Sequence, residues 1–355
     1  MASYNVTVEP LGVRVRCRGD QTVLDACLRE GIWLPHACTH GTCGTCKALV
    51  TDGEVDLGDA SHFALLEGER AEGQALLCVA RPRGDLTVES EIDVDEGVDV
   101  HPVRDYTGVV RVVAAPAADV RRLVIELDRP LAFNPGQYVQ LSAPSGDTRP
   151  YSIASAPSAA QGEHPAIELH VRLFPGGVAT EGWIFSGLAP GAAVSLSGPY
   201  GQFSFRPARD EPVLLLAGGT GLAPMKAILS HMTRADTTVR PVTLYHGART
   251  VADLYEHDWL RGFAAEHDWF TYRPALSRDS WEGRTGRVPE LLAADYPRAS
   301  GHAAYICGKR AFVESVMKTL MKARLFPRDI YREDFFTTFD RTTGAAAIRS
   351  PLLRR

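Results

Sequence analysis

The sequence predicts a multidomain α+β and α/β protein: a small α+β domain, an antiparallel β-barrel and a parallel α/β domain, in that order. Three observations carry this prediction. Cysteines crowd a glycine-rich loop near the front, short strands punctuated by Gly and Pro fill the middle, and strands alternate with helices at the back. A chain of 355 residues accommodates two to three domains, at roughly 100–200 residues each. The expected boundaries are 1–98, 103–208 and 211–340.

In the front block, Tyr4–Val8 and Val13–Cys17 alternate as a β-hairpin. Asp20 or Thr22 can cap a short helix that runs through Val23 and Leu28 and stops at Gly31. After the cysteine loop come a strand at Ala48–Val50, a helix near Phe63–Leu66, and strands near Leu76–Ala80 and Leu86–Glu89. Residues 91–103 are acidic and unpatterned, the texture of a linker. The middle block reads as strands at 106–113, 120–127, 138–141, 167–173 and 194–197. The third alternates strand 213–217, helix 223–233, strand 242–246, helix 252–265, strand 269–272, strand 304–307 and helix 310–323, the pattern of a parallel sheet with crossover helices.

Charge and hydropathy narrow the function classes. Residues 1–98 hold 17 Asp/Glu against 8 Lys/Arg, a balance of −9, while the remainder carries +4. An acidic front disfavours nucleic acid, which needs a basic footprint, and suits docking onto a basic protein surface or simple solubility. No segment approaches the roughly 18 consecutive apolar residues of a membrane span. The opening residues lack the pattern of a signal peptide, so the expected compartment is the cytoplasm, with neither membrane nor nucleic acid as partner.

Seven cysteines, an odd number, argue against a disulfide framework. Cys38, Cys43 and Cys46 form C-x4-C-x2-C, and Cys78 supplies a distant fourth thiolate. This is the spacing of a plant-type [2Fe–2S] cluster. Three thiolates must converge in one tight loop, and Gly41 and Gly44 permit the positive φ and close amide approach this needs. Structural zinc favours paired knuckles, and Cys78 has no near partner. A Rieske centre is hinted at by His40, but the pair Cys43–Cys46 offers Cys where a second His is required. Unliganded core cysteines would not need such glycine density. Cys17 and Cys27 read as small buried residues of a strand and a helix.

Two further motifs follow. Arg149-Pro150-Tyr151-Ser152, read as a turn, and the later turn Gly176-Gly177-Val178-Ala179-Thr180 can serve a flavin. They offer a cation for its diphosphate, an aromatic face, a hydroxyl near its reactive nitrogen and bare amides. His170-Val171-Arg172 lies between them, placed to contact ring or phosphate. Then the apolar run Val213–Ala217 enters Gly218-Gly219-Thr220-Gly221, a glycine turn opening a helix whose N-terminus favours a diphosphate. Cys307-Gly308 ends a later strand of the same sheet, where ligands of open α/β sheets bind.

In combination, Arg149–Ser152, Gly177–Thr180, Gly218–Gly221 and Cys307-Gly308 resemble the ferredoxin–NADP reductase superfamily. A closer likeness is to the reductase components of bacterial multicomponent phenol and toluene monooxygenases. It extends through Gly31–Pro35, Gly53–Asp56, Phe63–Leu65, Ser197–Phe203 and Arg324–Ile330. The resemblance implies a β-grasp-like [2Fe–2S] ferredoxin domain, an FAD-binding barrel and a domain for NADH. It implies that Tyr151 and Ser152 pack against the flavin and that Arg149 and Thr180 hold its diphosphate. It also implies that Gly218–Gly221 and Cys307 bind the nicotinamide nucleotide, with Phe335 covering the flavin face. Lys309 replaces the proline of the usual Cys-Gly-Pro, which suggests a looser turn and an added phosphate contact. The likeness favours NADH; Arg249, in Gly247–Thr250, offers instead a handle for the 2′-phosphate of NADPH.

The reading is an NADH:acceptor oxidoreductase that sends single electrons through the ferredoxin domain to an oxygenase, by resemblance a di-iron aromatic hydroxylase. The chain has no paired E-x-x-H helices for a di-iron site of its own. The rivals are the reductase of a Rieske-type ring dioxygenase and a non-catalytic carrier that retains the fold.

Overall fold

The computed structural model describes residues 2–233 and 240–335. These divide into two compact units: residues up to Arg104 together with Gly198–Gln202, and Asp105–Ser197 together with Phe203–Phe335. Residues 336–340 of the expected third domain lie outside the described residues.

In the front unit, β1 (Ser3–Glu9) and β2 (Val13–Arg18) form the hairpin, with Val6 opposite Val15. Helix α1 (Val23–Arg29) follows, capped by the Thr22 hydroxyl, which accepts from the Asp25 amide at 3.3 Å. Next come β3 (Lys47–Asp52), β4 (Val55–Asp56), α2 (Glu67–Ala71), β5 (Gln74–Leu76), β6 (Arg81–Pro82) and β7 (Leu86–Glu89). The five-stranded sheet runs β2-β1-β7-β3-β5, with β1 and β7 parallel and the other pairs antiparallel. Val6, Val8, Val23, Leu24, Leu76 and Val88 fill its core. Cys17 and Cys27 are buried there as expected, and burial pushes their thiols up to about 11 and about 12.

The helix expected at Phe63–Leu66 starts later. Residues 62–65 form a turn, and α2 begins at Glu67, where the Glu69 carboxylate accepts from the Leu66 amide at 2.9 Å. Acidic side chains favour a helix start, and this outweighs the apolar run before it. The strand expected at Leu76–Ala80 stops at Leu76. The turn beyond it is held by α1, whose Val23 and Leu24 amides donate to Ala80 and Leu77 carbonyls, both at 3.0 Å.

The barrel strands are β8 (Arg104–Ala117), β9 (Val120–Leu127), β10 (Tyr138–Ser142), β11 (Thr148–Ser152), β12 (Ala166–Arg172) and β13 (Ala193–Tyr200), all in the second unit except Arg104 and the last three residues of β13, which group with the front unit. Their order is β11-β10-β13-β8-β9-β12, and a bridge between Ile153 and Leu169 joins the two ends into a barrel. Arg149–Ser152 is thus strand, not turn. Pro150 is tolerated because β11 is an end strand.

The remainder comprises β14 (Val213–Gly218), α3 (Leu222–Met232), β15 (Val242–Ala248), α4 (His257–Glu266), β16 (Phe270–Leu276), β17 (Arg284–Thr285), α5 (Val288–Asp295), β18 (Ala303–Lys309), α6 (Arg310–Lys322) and β19 (Ile330–Phe335). All pairs are parallel in the order β17-β16-β15-β14-β18-β19. The helix expected over 252–265 is split: 251–253 form a 3-10 turn, and Glu256, at φ +58°, breaks the chain before α4. The connections leave β14 for β15 on one side and reach β18 on the other. A topological switch point therefore lies between β14 and β18, and the crevice at their carboxyl ends is the ligand position of such sheets.

Candidate functional site

In the front unit, Cys38, Cys46 and Cys78 are buried and Cys43 is half-buried. Their sulfurs meet: Cys38 contacts Cys43 and Cys78, and Cys46 contacts Cys78. Sharing between these thiols holds Cys38 well below the ordinary range, while contact with Cys38 pushes Cys43 and Cys78 well above it. Gly41 takes φ +79°, and a Cβ there would come within 3.1 Å of the Asp59 carbonyl and the Val79 side chain, so the loop closes only around glycine. His40 lies beside Cys38, and both of its ring nitrogens are engaged. Its Nδ1 lies 2.5 Å from the Cys38 carbonyl and its Nε2 3.0 Å from the Thr42 hydroxyl. Four convergent sulfurs with no imidazole among them are the donor set of a [2Fe–2S] cluster and fit no Rieske centre.

In the second unit, the parallel pairing of β18 with β19 sets Cys307 opposite Glu333. The Ser152 hydroxyl at the end of β11 donates to Glu333 Oε2 at 3.0 Å, and Cys307 Sγ lies 3.8 Å from the same oxygen. Burial pushes Glu333 up to about 7, and burial, then the charges of Glu333 and Asp334, push the Cys307 thiol well above its usual value. Ser152 and Cys307, 155 positions apart in sequence, therefore share one carboxyl that titrates near neutrality. Tyr151 packs against the barrel core as a half-buried ring, its hydroxyl pushed up to about 12 by burial. Phe335 is half-buried against the core of the parallel sheet.

Glu333 escaped the sequence reading as a site residue. The only signal was its place in Glu333-Asp334-Phe335, and the parallel register that sets it opposite Cys307 is not visible in the chain itself.

The turn at Gly176–Thr180 is closed by its own hydrogen bonds. The Gly176 amide donates to Glu181 Oε2 at 2.5 Å, and the Thr180 hydroxyl bridges the Phe174 amide and carbonyl, both at 3.1 Å. A Cβ on Gly177 would lie 2.6 Å from that hydroxyl. Arg149, half-buried on β11, lies 3.6 Å from Asp147. These contacts of the turn are thus internal to residues 174–181, and those of Arg149 are to its chain neighbours Asp147 and Thr148.

At the switch point, Gly218-Gly219-Thr220-Gly221 leads from β14 into α3. A Cβ on Gly221 would sit 2.0 Å from the Cys307 carbonyl oxygen, so only glycine lets this turn approach Cys307-Gly308. Beside it lies a cavity of about 490 Å³, lined among others by Arg172, Gly219, Arg249, Lys309 and Phe312. Arg172 pairs with Asp119 at 2.5 Å, and Arg249 reaches Asp119 and Asp253, each at 3.3 Å. Arg249, expected as a handle for a 2′-phosphate, thus faces the cavity already held by two carboxylates.

Two expectations need correction. His170 does not offer itself to ring or phosphate, because Nε2 lies 2.8 Å from Glu168 and Nδ1 3.1 Å from the Tyr255 hydroxyl, with the side chain fully buried. Val171 is likewise a core side chain, leaving Arg172 as the one of the three that reaches the cavity. The turn at Lys309 is not looser either: its φ is −64°, the value a proline would impose.

Comparison with known proteins agrees with this architecture. Residues 6–83 match the 2Fe-2S iron-sulfur cluster binding domain, 109–205 the oxidoreductase FAD-binding domain and 215–318 the oxidoreductase NAD-binding domain. The chain is 45% identical to the reductase component of phenol 2-monooxygenase from Pseudomonas sp. strain CF600, over 99% of each chain. It is 44% identical to the reductase subunit of an aromatic O-demethylase from Amycolatopsis, over 91% of this chain and 96% of that one. Among solved structures it is similar to an Amycolatopsis cytochrome P450 reductase, with a TM-score of 0.87 and 44% identity, covering 94% of this chain and 98% of that one. A ferredoxin reductase of carbazole 1,9a-dioxygenase matches with a TM-score of 0.77 and 25% identity, covering 94% and 99%. With its cluster, flavin and nucleotide domains in this order, the chain belongs to the family of iron–sulfur flavoprotein reductase components that pass electrons to oxygenases.

Proposed function

We propose that this reductase draws hydride from NADH and serves an aromatic monooxygenase of the phenol type, in the cytoplasm. Among the described residues no helix is long and apolar enough to cross a membrane. The observation that carries the reading is the meeting of Ser152 and Cys307 on the buried Glu333 carboxyl, at the carboxyl end of the nucleotide sheet. The proposed domains are 1–98 for the cluster, 103–208 for FAD and 211–340 for the nucleotide.

When bound, FAD accepts electrons in pairs and releases them singly, and a [2Fe–2S] cluster carries one at a time. Around these groups the chain's own residues position and protonate. Tyr151 offers a half-buried ring on the barrel wall, and Arg149 with Thr180 is proposed to hold the diphosphate. Gly218–Gly221 and Gly308 let a nucleotide approach the backbone, beside the neutral Cys307 thiol. Ser152 donates to Glu333, which holds or yields a proton near pH 7. Phe335, at the end of β19 beside this group, is the proposed cover of the flavin face. Cys38, Cys43, Cys46 and Cys78 hold the cluster through which electrons leave.

Anaerobic titration of the purified protein with NADH tests this reading. Bleaching of the flavin and then of the cluster absorbance is expected, and a flavin spectrum unmoved by NADH would sink it. A second reading follows from the 44% identity to the aromatic O-demethylase reductase and from the P450 reductase structure: the oxygenase partner is a cytochrome P450. Turnover assays with each class of purified oxygenase separate the two.

A further inference from the structure

The nucleotide cavity receives cations from separate elements of the second unit. Arg172 comes from the end of β12, Arg249 follows β15, and Lys309 ends β18. The first two are ion-paired: Arg172 with Asp119 at 2.5 Å, and Arg249 with Asp119 and Asp253 at 3.3 Å. Lys309 has no carboxylate partner among the described residues, and its side chain faces the same cavity. Its ammonium is pushed below its ordinary value first by burial and then by Arg172 and Arg249, with Asp119 opposing. Positive charge is thus left uncompensated at that wall. Arg278 and Arg287 also line the cavity, from the segments that follow β16 and β17. At the switch point Lys309 ends β18, while the guanidinium of Arg172, ion-paired with Asp119, reaches Gly219; the diphosphate of a dinucleotide binds there in sheets of this kind.

We propose that Lys309 is the diphosphate anchor of the nicotinamide nucleotide, taking the phosphate charge that Arg172, held by Asp119, leaves unmatched. The anchor rests on the reading that this cavity receives NADH. Its φ of −64° shows how the lysine is accommodated, since the backbone keeps a proline-like turn while the side chain adds a charge. The contact proposed is a point-charge ammonium on phosphate oxygens.

Calorimetric titration of the FAD-loaded protein with ADP-ribose, with adenosine and with 2′-AMP tests the anchor. For Lys309→Ala, binding of ADP-ribose is expected to weaken about tenfold, adenosine binding to stay as in the parent, and Lys309→Arg to recover most of the loss. The KM for NADH should rise in step. Undiminished ADP-ribose binding in Lys309→Ala would overturn the proposal. So would an equal loss for adenosine, which lacks phosphate, or a loss confined to 2′-AMP, which would move the charge to the 2′ position. Failure of the parent protein to bind ADP-ribose at all would instead overturn the cavity reading.

Discussion

Glu333 is a carboxyl whose burial sets its behaviour. Its pKa rises from the ordinary 4.5 to about 7, so the folded protein holds a proton that the unfolded chain releases earlier. The stability it contributes is therefore full below pH 4.5 and is lost as pH rises through 7. Over that window the loss is about 3 kcal/mol, at 1.36 kcal/mol per pKa unit. Glu333→Gln keeps a hydrogen-bond partner for Ser152 but cannot titrate. Its unfolding midpoint, compared at pH 5 and pH 8, should fall less than that of the parent protein, and an equal fall would contradict the buried proton. Residue scale is also where the sequence was least legible. Ser152 and Cys307 declared themselves through local motifs, whereas Glu333 owes its role to a strand register, and His170 looked available until Glu168 and Tyr255 closed on it.

Among the elements, the glycine turn between β14 and α3 is the least replaceable. A methyl group on Gly221 would collide with a carbonyl of β18, and backbone in a parallel sheet cannot step aside as a flexible side chain can. Gly221→Ala should cost about 1–3 kcal/mol and lower the melting temperature of the protein by several degrees, with nucleotide affinity falling as well. An unchanged melting curve would show that β18 yields. The cysteine loop allows a cleaner separation. Cys43→Ser should abolish electron delivery to an oxygenase while NADH-driven ferricyanide reduction survives, and loss of both in a folded, FAD-loaded variant would contradict the order of carriers. Strands and helices of the parallel sheet were legible because apolar runs and helical periods alternate there. The helix at 252–265 and the turn at Arg149–Ser152 were misread because Glu256 and the pairing of β11 with β10 act through tertiary context.

For the whole molecule, the asymmetry of charge is the feature with an outward consequence. With −9 on residues 1–98, attraction to a basic partner surface would be screened beyond roughly 10 Å at 0.1 M salt. The rate of electron delivery to the oxygenase should fall as ionic strength rises, while ferricyanide reduction stays nearly flat. A partner rate indifferent to salt would remove electrostatic docking. The acidity and the cysteine spacing were both plain in the sequence. The membership of Gly198–Gln202 in the front unit was not, because nothing local marks a short stretch of barrel chain as belonging elsewhere.

That stretch bears on how such reductases can be recombined. In the front unit the Gly201 amide donates to His36 Nε2 at 2.8 Å, while His36 Nδ1 lies 2.7 Å from the Leu34 carbonyl, two positions before the first cluster cysteine. A ferredoxin module excised at the acidic linker would carry the histidine and leave its donor behind. Modular exchange between family members therefore has a hidden seam: a graft of residues 1–98 needs a compatible 198–202 in the recipient, or a buried imidazole loses its partner beside the metal loop.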